Sequence, residues 1–132
     1  MNTMDMLRTY RTTVLEIETL EQQLVLAGRD GRPSGCRSAT ADERMPSTND
    51  PMAAAMQLCD GLESLIGQKR GLLAQLTPRI CQLLMGITSG RVLQVIQCYY
   101  LFAQTDEQIG RRLGLSTTRI NQIRNDFIHS AA

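Results

Sequence analysis

Five polar side chains near the C-terminus, Thr117, Thr118, Asn121, Gln122 and Asn125, have the spacing that most clearly suggests a chemistry. At 100° per residue Thr118, Asn121, Gln122, Asn125 and His129 gather on one side of a helix, with Thr117 and Arg119 on its flanks. Ile120, Ile123 and Phe127 fall on the other side and should face a core. Asn and Gln present paired donors and acceptors that match the major-groove edge of adenine, and Thr offers a hydroxyl and a methyl. Arg111, Arg112, Arg119 and Arg124 are long enough to reach phosphates, and Thr105 and Ser116 put hydroxyls at helix starts where a phosphate can sit; such contacts position a protein without reading sequence. Every surface helix has a polar face. This one is rich in amides rather than in Lys and Glu, and that composition points to base-edge contacts.

The flanking residues supply the elements that hold this face in place. Thr105-Asp106-Glu107-Gln108 reads as a capping box opening a short helix, with acids suited to the positive end of its dipole. Gly114 provides the left-handed residue that ends it, and Ser116 is a second N-cap, so the next helix begins at Thr117. Two short helices joined so tightly cross steeply, as in helix-turn-helix units. The lack of a side chain at Gly110 allows a close approach.

The stretch "RVLQVIQCYYLFAQTDEQIGRRLGLSTTRINQIR" resembles region four of bacterial sigma factors, the helix-turn-helix that reads the −35 promoter element. The matching pieces are a helix ending in "YYL", then "T-x-x-x-I-G-x-x-L-G-L-S" and "R-I-x-Q-I". The resemblance implies that Thr117, Thr118, Asn121 and Gln122 occupy that family's base- and backbone-contacting positions. The family usually has charged residues at the first two and often Arg at the third, where this chain has Thr, Thr and Asn. The whole layout is similar to small sigma-region-four-like prophage proteins of Gram-positive bacteria, related to RinA/ArpU-type late-gene regulators. That resemblance implies double-stranded DNA as partner.

Upstream, Leu7, Tyr10, Val14, Ile17, Leu20 and Leu24 mark residues 3–27 as one amphipathic helix. Residues 28–50 hold three Gly, two Pro and four charges of each sign without periodicity, and read as a flexible linker. From Met52 to Ile87 apolar residues alternate by three and four, with Lys69 the exception, as in a coiled-coil seam. Thr77-Pro78 should kink this helix, or end it and restart it with Thr77 as N-cap. Gly86–Gly90 marks a turn, and residues 91–102 form another helix.

The fold expected is therefore all-α: a long-helix hairpin or coiled coil over 1–77 with its linker at 28–50, then a helix-turn-helix domain over 78–132. Leu62, Ile66, Leu73 and Leu76 are the expected self-association residues of a dimer or tetramer. Linking two reading heads raises affinity through effective concentration.

Bulk properties set the limits. The formal net charge of +1 excludes an argument from overall basicity, yet residues 78–132 carry six Arg against three acids. Cys36, Cys59, Cys81 and Cys98 contain no Cys-x-x-Cys and His129 is the sole histidine, so neither a metal site nor a cofactor is expected. Cys59 and Cys81 fall on apolar stripes and read as reduced, small hydrophobes. No apolar run reaches the roughly 18–20 residues that span a bilayer, and no secretory signal is apparent; a cytoplasmic protein without a membrane partner is expected. Enzymatic activity is not expected, because the chain has no nucleophile–base pair and no phosphate loop. The leading expectation is a sequence-specific transcriptional regulator of phage type. The alternatives are a DNA-recognition subunit of a phage packaging machine, and a module that docks on RNA polymerase or another regulator without binding DNA.

Overall fold

The computed structural model describes residues 2–31 and 51–131, and among these the secondary structure is entirely helical. Helix α1 (Thr3–Gly31) begins where the Asn2 side chain accepts a 2.8 Å hydrogen bond from the Asp5 amide, a side-chain cap reinforced by the acid in the first turn. Its apolar positions bury Leu7 and Ile17. Thr13 is buried as well, because its hydroxyl donates to the Thr9 carbonyl at 2.7 Å and leaves no unmet polar group. The first residues of the expected linker, 28–31, continue α1, and the rest of it lies outside the described residues.

Helix α2 (Pro51–Met85) starts with proline at its first position, where the missing N–H is not needed. It then runs as one helix through Pro78, so of the two expectations, a kink or a restart, the restart is not met. Thr77 is not an N-cap: its hydroxyl donates back to the Leu73 carbonyl at 2.7 Å, as an interior residue does. Burial of Leu76, Ile80 and Leu84 on either side of the proline holds the helix together where the backbone ladder is broken.

Helix α3 (Gly90–Ile96) is capped by Ser89, whose hydroxyl accepts from Val92 at 3.4 Å. It does not continue as the regular helix expected to residue 102. Gln97–Leu101 is π-helical, with the Phe102 amide donating to Gln97 and the Gln104 amide to Cys98. Ala103 then turns the chain at φ +52°, a conformation that costs an L-residue about 1–2 kcal/mol. Helices α4 (Asp106–Leu113) and α5 (Thr117–Ala131) complete the chain.

Two compact units result, and the boundary differs from the one expected at residue 77. Met1–Glu16 joins Gly71–Ala132 in one unit, and Ile17–Arg70 makes the other. The cause is apolar packing: Met4, Met6 and Leu7 of α1 share a core with Leu76, Ile80, Leu84, Ile96, Tyr100 and Phe127. A second core in that unit gathers Val95, Cys98, Ile109, Ile120 and Ile123. In the Ile17–Arg70 unit Ile17, Leu62 and Ile66 are buried, and an exposed ion pair of 2.9 Å joins Arg70 to Glu21.

Three of the four residues expected to pair with a second copy are thus covered within one chain: Leu62, Ile66 and Leu76 are at most 7 % exposed, and Leu73 is half-buried. Among the described residues of the Ile17–Arg70 unit, the large apolar side chains left exposed are Val25, Leu26, Met56, Leu58 and Leu65. Cys81, expected on an apolar stripe, is exposed; Cys59 is half-buried and Cys98 is buried, all three as free thiols. No helix of the described residues is long and apolar enough to cross a membrane.

Pro78 is exposed, so replacing it removes no packing. Interior proline costs about 3 kcal/mol relative to alanine, while restoring unfolded-chain freedom takes back about 0.4–1 kcal/mol. Pro78→Ala is expected to raise stability by about 2 kcal/mol, read as a higher urea midpoint with an unchanged slope.

Candidate nucleic-acid interface

The turn between α4 and α5 is built from backbone. Thr105 caps α4 reciprocally: its hydroxyl accepts from the Gln108 amide at 3.2 Å, and its own amide donates to the Gln108 side chain at 2.9 Å. At the other end the Gly110 carbonyl accepts from both Gly114 and Leu115, the latter at 2.9 Å, and Gly114 sits at φ +72°. A Cβ on Gly110 would lie 2.5 Å from the Leu115 carbonyl oxygen. The space kept open there is therefore occupied by the turn itself, rather than by a side chain of the following helix. Ser116 caps α5 by accepting from the Arg119 amide at 3.1 Å.

Helix α5 divides as its periodicity predicts. Ile120, Ile123 and Phe127 are buried, Ile120 completely; full burial of such side chains is worth about 1.5–3 kcal/mol each. Thr117, Thr118, Asn121, Gln122 and Asn125 are all exposed. The structure brings these five together on the outward side of one helix. Two local bonds order their amides: Asn125 donates to Asn121 at 2.8 Å, and Arg119 donates to Gln122 at 3.4 Å. Both are solvent-exposed contacts between neighbours on one helix, readily exchanged for an external partner. A helix carrying exposed Asn and Gln amides on its outer side can form bidentate pairs with adenine once those local bonds are exchanged.

The residues expected at phosphates do not share one fate. Arg111, Arg112 and Arg119 are exposed. Arg111 makes only a 3.8 Å solvent-exposed pair with Glu107, which contributes little. Arg112 leans to within 3.9 Å of the Cys98 sulfur. Thr105 and Ser116 use their hydroxyl oxygens as acceptors in the two caps, which leaves each O–H proton free to donate outward.

Arg124 is placed elsewhere. Its guanidinium donates twice to Asp106, at 3.0 and 2.8 Å, with only 13 % of its side chain exposed. It also lies 4.0 Å from the centre of the Tyr99 ring. Two of the five Arg124 N–H donors are aimed at the carboxylate, so this arginine is a structural link between α4 and α5. Burial pulls the Arg124 guanidinium down, but the hydrogen bonds to Asp106 and the neighbouring tyrosines outweigh it and raise its pKa. Burial likewise pushes the Tyr100 phenol above its ordinary 10.0, against the opposing field of Arg124.

Arg11 was not legible as part of this region, nor were Tyr99 and Asp106 legible as partners of the arginines. Arg11 of α1 donates to the Tyr99 carbonyl at 3.0 Å and to the Gln104 carbonyl at 3.4 Å, and its guanidinium lies 4.1 Å from the same ring centre. No short-range spacing signals partners so far apart in the chain. Among the described residues no group of three or more His, Cys, Asp or Glu could hold a metal ion. No family model matches the chain, and neither the curated proteins nor the solved structures provide a match.

The two turn glycines should respond differently to substitution. Gly110→Ala forces a side chain against backbone that is itself hydrogen-bonded, and is expected to lose about 2–3 kcal/mol, the upper range for overpacking. Gly114→Ala meets open space and only the left-handed conformation opposes it, a loss of about 1–2 kcal/mol. Urea unfolding of the two variants tests the order; equal losses would mean that the Leu115 contact is relieved by a small shift of the turn.

Proposed function

We propose that this chain is a sequence-specific, non-enzymatic DNA-binding regulator of transcription, of phage or prophage type. In this reading α4 and α5 form a helix-turn-helix, with α5 placed in the major groove. The observation that carries it is the joint exposure of Thr117, Thr118, Asn121, Gln122 and Asn125 on a helix whose opposite side is anchored in the core by Ile120 and Ile123. Asn121, Gln122 and Asn125 contact base edges, and Thr117 and Thr118 supply hydroxyl and methyl contacts. Arg111, Arg112 and Arg119 meet phosphates together with the Thr105 and Ser116 hydroxyls. Arg124 leaves that set, since its fork is held by Asp106.

Self-association into a dimer or tetramer belongs to the same reading, because one such reading head has limited affinity and two linked ones read paired half-sites. With Leu62 and Ile66 buried, the exposed Leu58 and Leu65, seven residues apart on α2, are among the side chains that can serve it.

Selection from random duplex DNA at near-physiological salt tests the proposal, with the Asn121→Ala/Gln122→Ala double variant alongside. The wild-type chain is expected to enrich a motif that the variant loses, each lost bidentate pair being worth about 1–3 kcal/mol of discrimination. No enrichment by the wild-type chain overturns the reading and favours docking on RNA polymerase or another regulator. Enrichment of a phage packaging site with no effect on promoters would favour the packaging role.

A further inference from the structure

Arg11 and Arg124 both place their guanidiniums about 4 Å from the centre of the Tyr99 ring. Two planar cations that close to one centroid fit only if each takes a separate face. Tyr99 is therefore held between α1 and α5, and each cation is attracted by the negative face of the ring. The arrangement is tied off at both ends. Arg124 is fixed by Asp106 in the first turn of α4. Arg11 donates to the carbonyls of Tyr99 and Gln104, which flank the end of the π-helical segment, where carbonyls lack intrahelical partners and favour a cation. Below this polar chain Met4 and Leu7 of α1 share a core with Phe127 of α5.

We infer that Arg11 is a positioning residue for α5, acting through Tyr99 and Arg124, and that the first turns of α1 belong to the DNA-reading unit. The inference rests on the proposed DNA-binding function for its binding readout, and it has a second readout that does not. Arg11 touches neither base nor phosphate. Its removal loosens the orientation of α5 without subtracting a contact from the interface. The ring face is the working part of Tyr99 in this link.

The test uses the full chain. Arg11→Ala is expected to weaken binding to the selected duplex about 10-fold, a change of about 1.4 kcal/mol, with the salt dependence unchanged because no phosphate contact is lost. Tyr99→Leu is expected to reproduce that loss, while Tyr99→Phe stays near wild type. Unchanged affinity in Arg11→Ala overturns the inference. A salt slope lowered by about one also overturns it, since that marks a direct phosphate contact. The second readout is amide hydrogen exchange without DNA. Arg11→Ala should speed exchange at Ile120–Phe127 by about an order of magnitude while Leu62–Ile66 is unaffected. Equal acceleration in both segments means general destabilisation and overturns the inference, as does no acceleration at α5. If the wild-type chain selects no DNA, the proposed function fails and the exchange measurement alone decides the role of Arg11.

Discussion

The 2.5 Å separation between the Leu115 carbonyl oxygen and the place a Cβ would occupy on Gly110 is the constraint on which the C-terminal architecture depends. It allows the Gly110 carbonyl to accept two amides from the turn, so α4 stops and α5 starts within a few residues. That fixes the exit direction of α5 before any side chain of α5 packs. Ile109 and Ile120, both fully buried, then meet in one core, which sets the rotation of α5 about its own axis. With exit direction and rotation fixed, the amides of Asn121, Gln122 and Asn125 face solvent. A side chain at Gly110 would push the turn away from α4 and move all of them together.

Charge is used in two ways in the same unit. Arg111, Arg112 and Arg119 stay in water, where a guanidinium can exchange solvent for a phosphate at little desolvation cost. Arg124 and Arg11 are partly withdrawn from water, and such withdrawal is tolerated only where donors and charge find partners. Asp106, two backbone carbonyls and the faces of Tyr99 provide them. The bidentate geometry of the Arg124–Asp106 pair explains why arginine suits that position: its planar fork meets the two carboxylate oxygens from separate nitrogens while its face lies on the ring, and a lysine ammonium has neither fork nor face.

The long helices show how far local rules reach. Apolar spacing located both helices and most of the side chains that α2 buries, but in α1 it marked Leu7 and Ile17 and missed Met4, Met6 and Thr13. The same spacing could not say what covers the seam. Leu62 and Leu76 look alike in sequence, yet the first is buried in the Ile17–Arg70 unit and the second in a core with Met4, Leu7 and Phe127. Pro78 marks the limit of another rule. Its missing N–H argues for a helix end, but Leu76, Ile80 and Leu84 are buried around it, and that packing outweighs the lost hydrogen bond. The break between residue 102 and the Thr105 cap was legible, but with no glycine at Ala103 to mark a left-handed residue, neither that conformation nor the π-helical segment before it left a trace in the sequence.

The sequence by itself determined what depends on neighbours a few residues apart: the all-helical class, the Thr105–Gln108 capping box, the Ser116 cap, the Gly114 stop and the outward row from Thr117 to Asn125. These follow from helical periodicity and from which residue types can satisfy a helix end. Only the tertiary structure decided which arginines remain exposed, which apolar seam is closed within the chain, and that α1 contributes Arg11 to Tyr99 across most of the chain's length. Those outcomes depend on burial and on partners that are distant in sequence, and neither residue type nor spacing encodes which of several chemically equivalent partners is met.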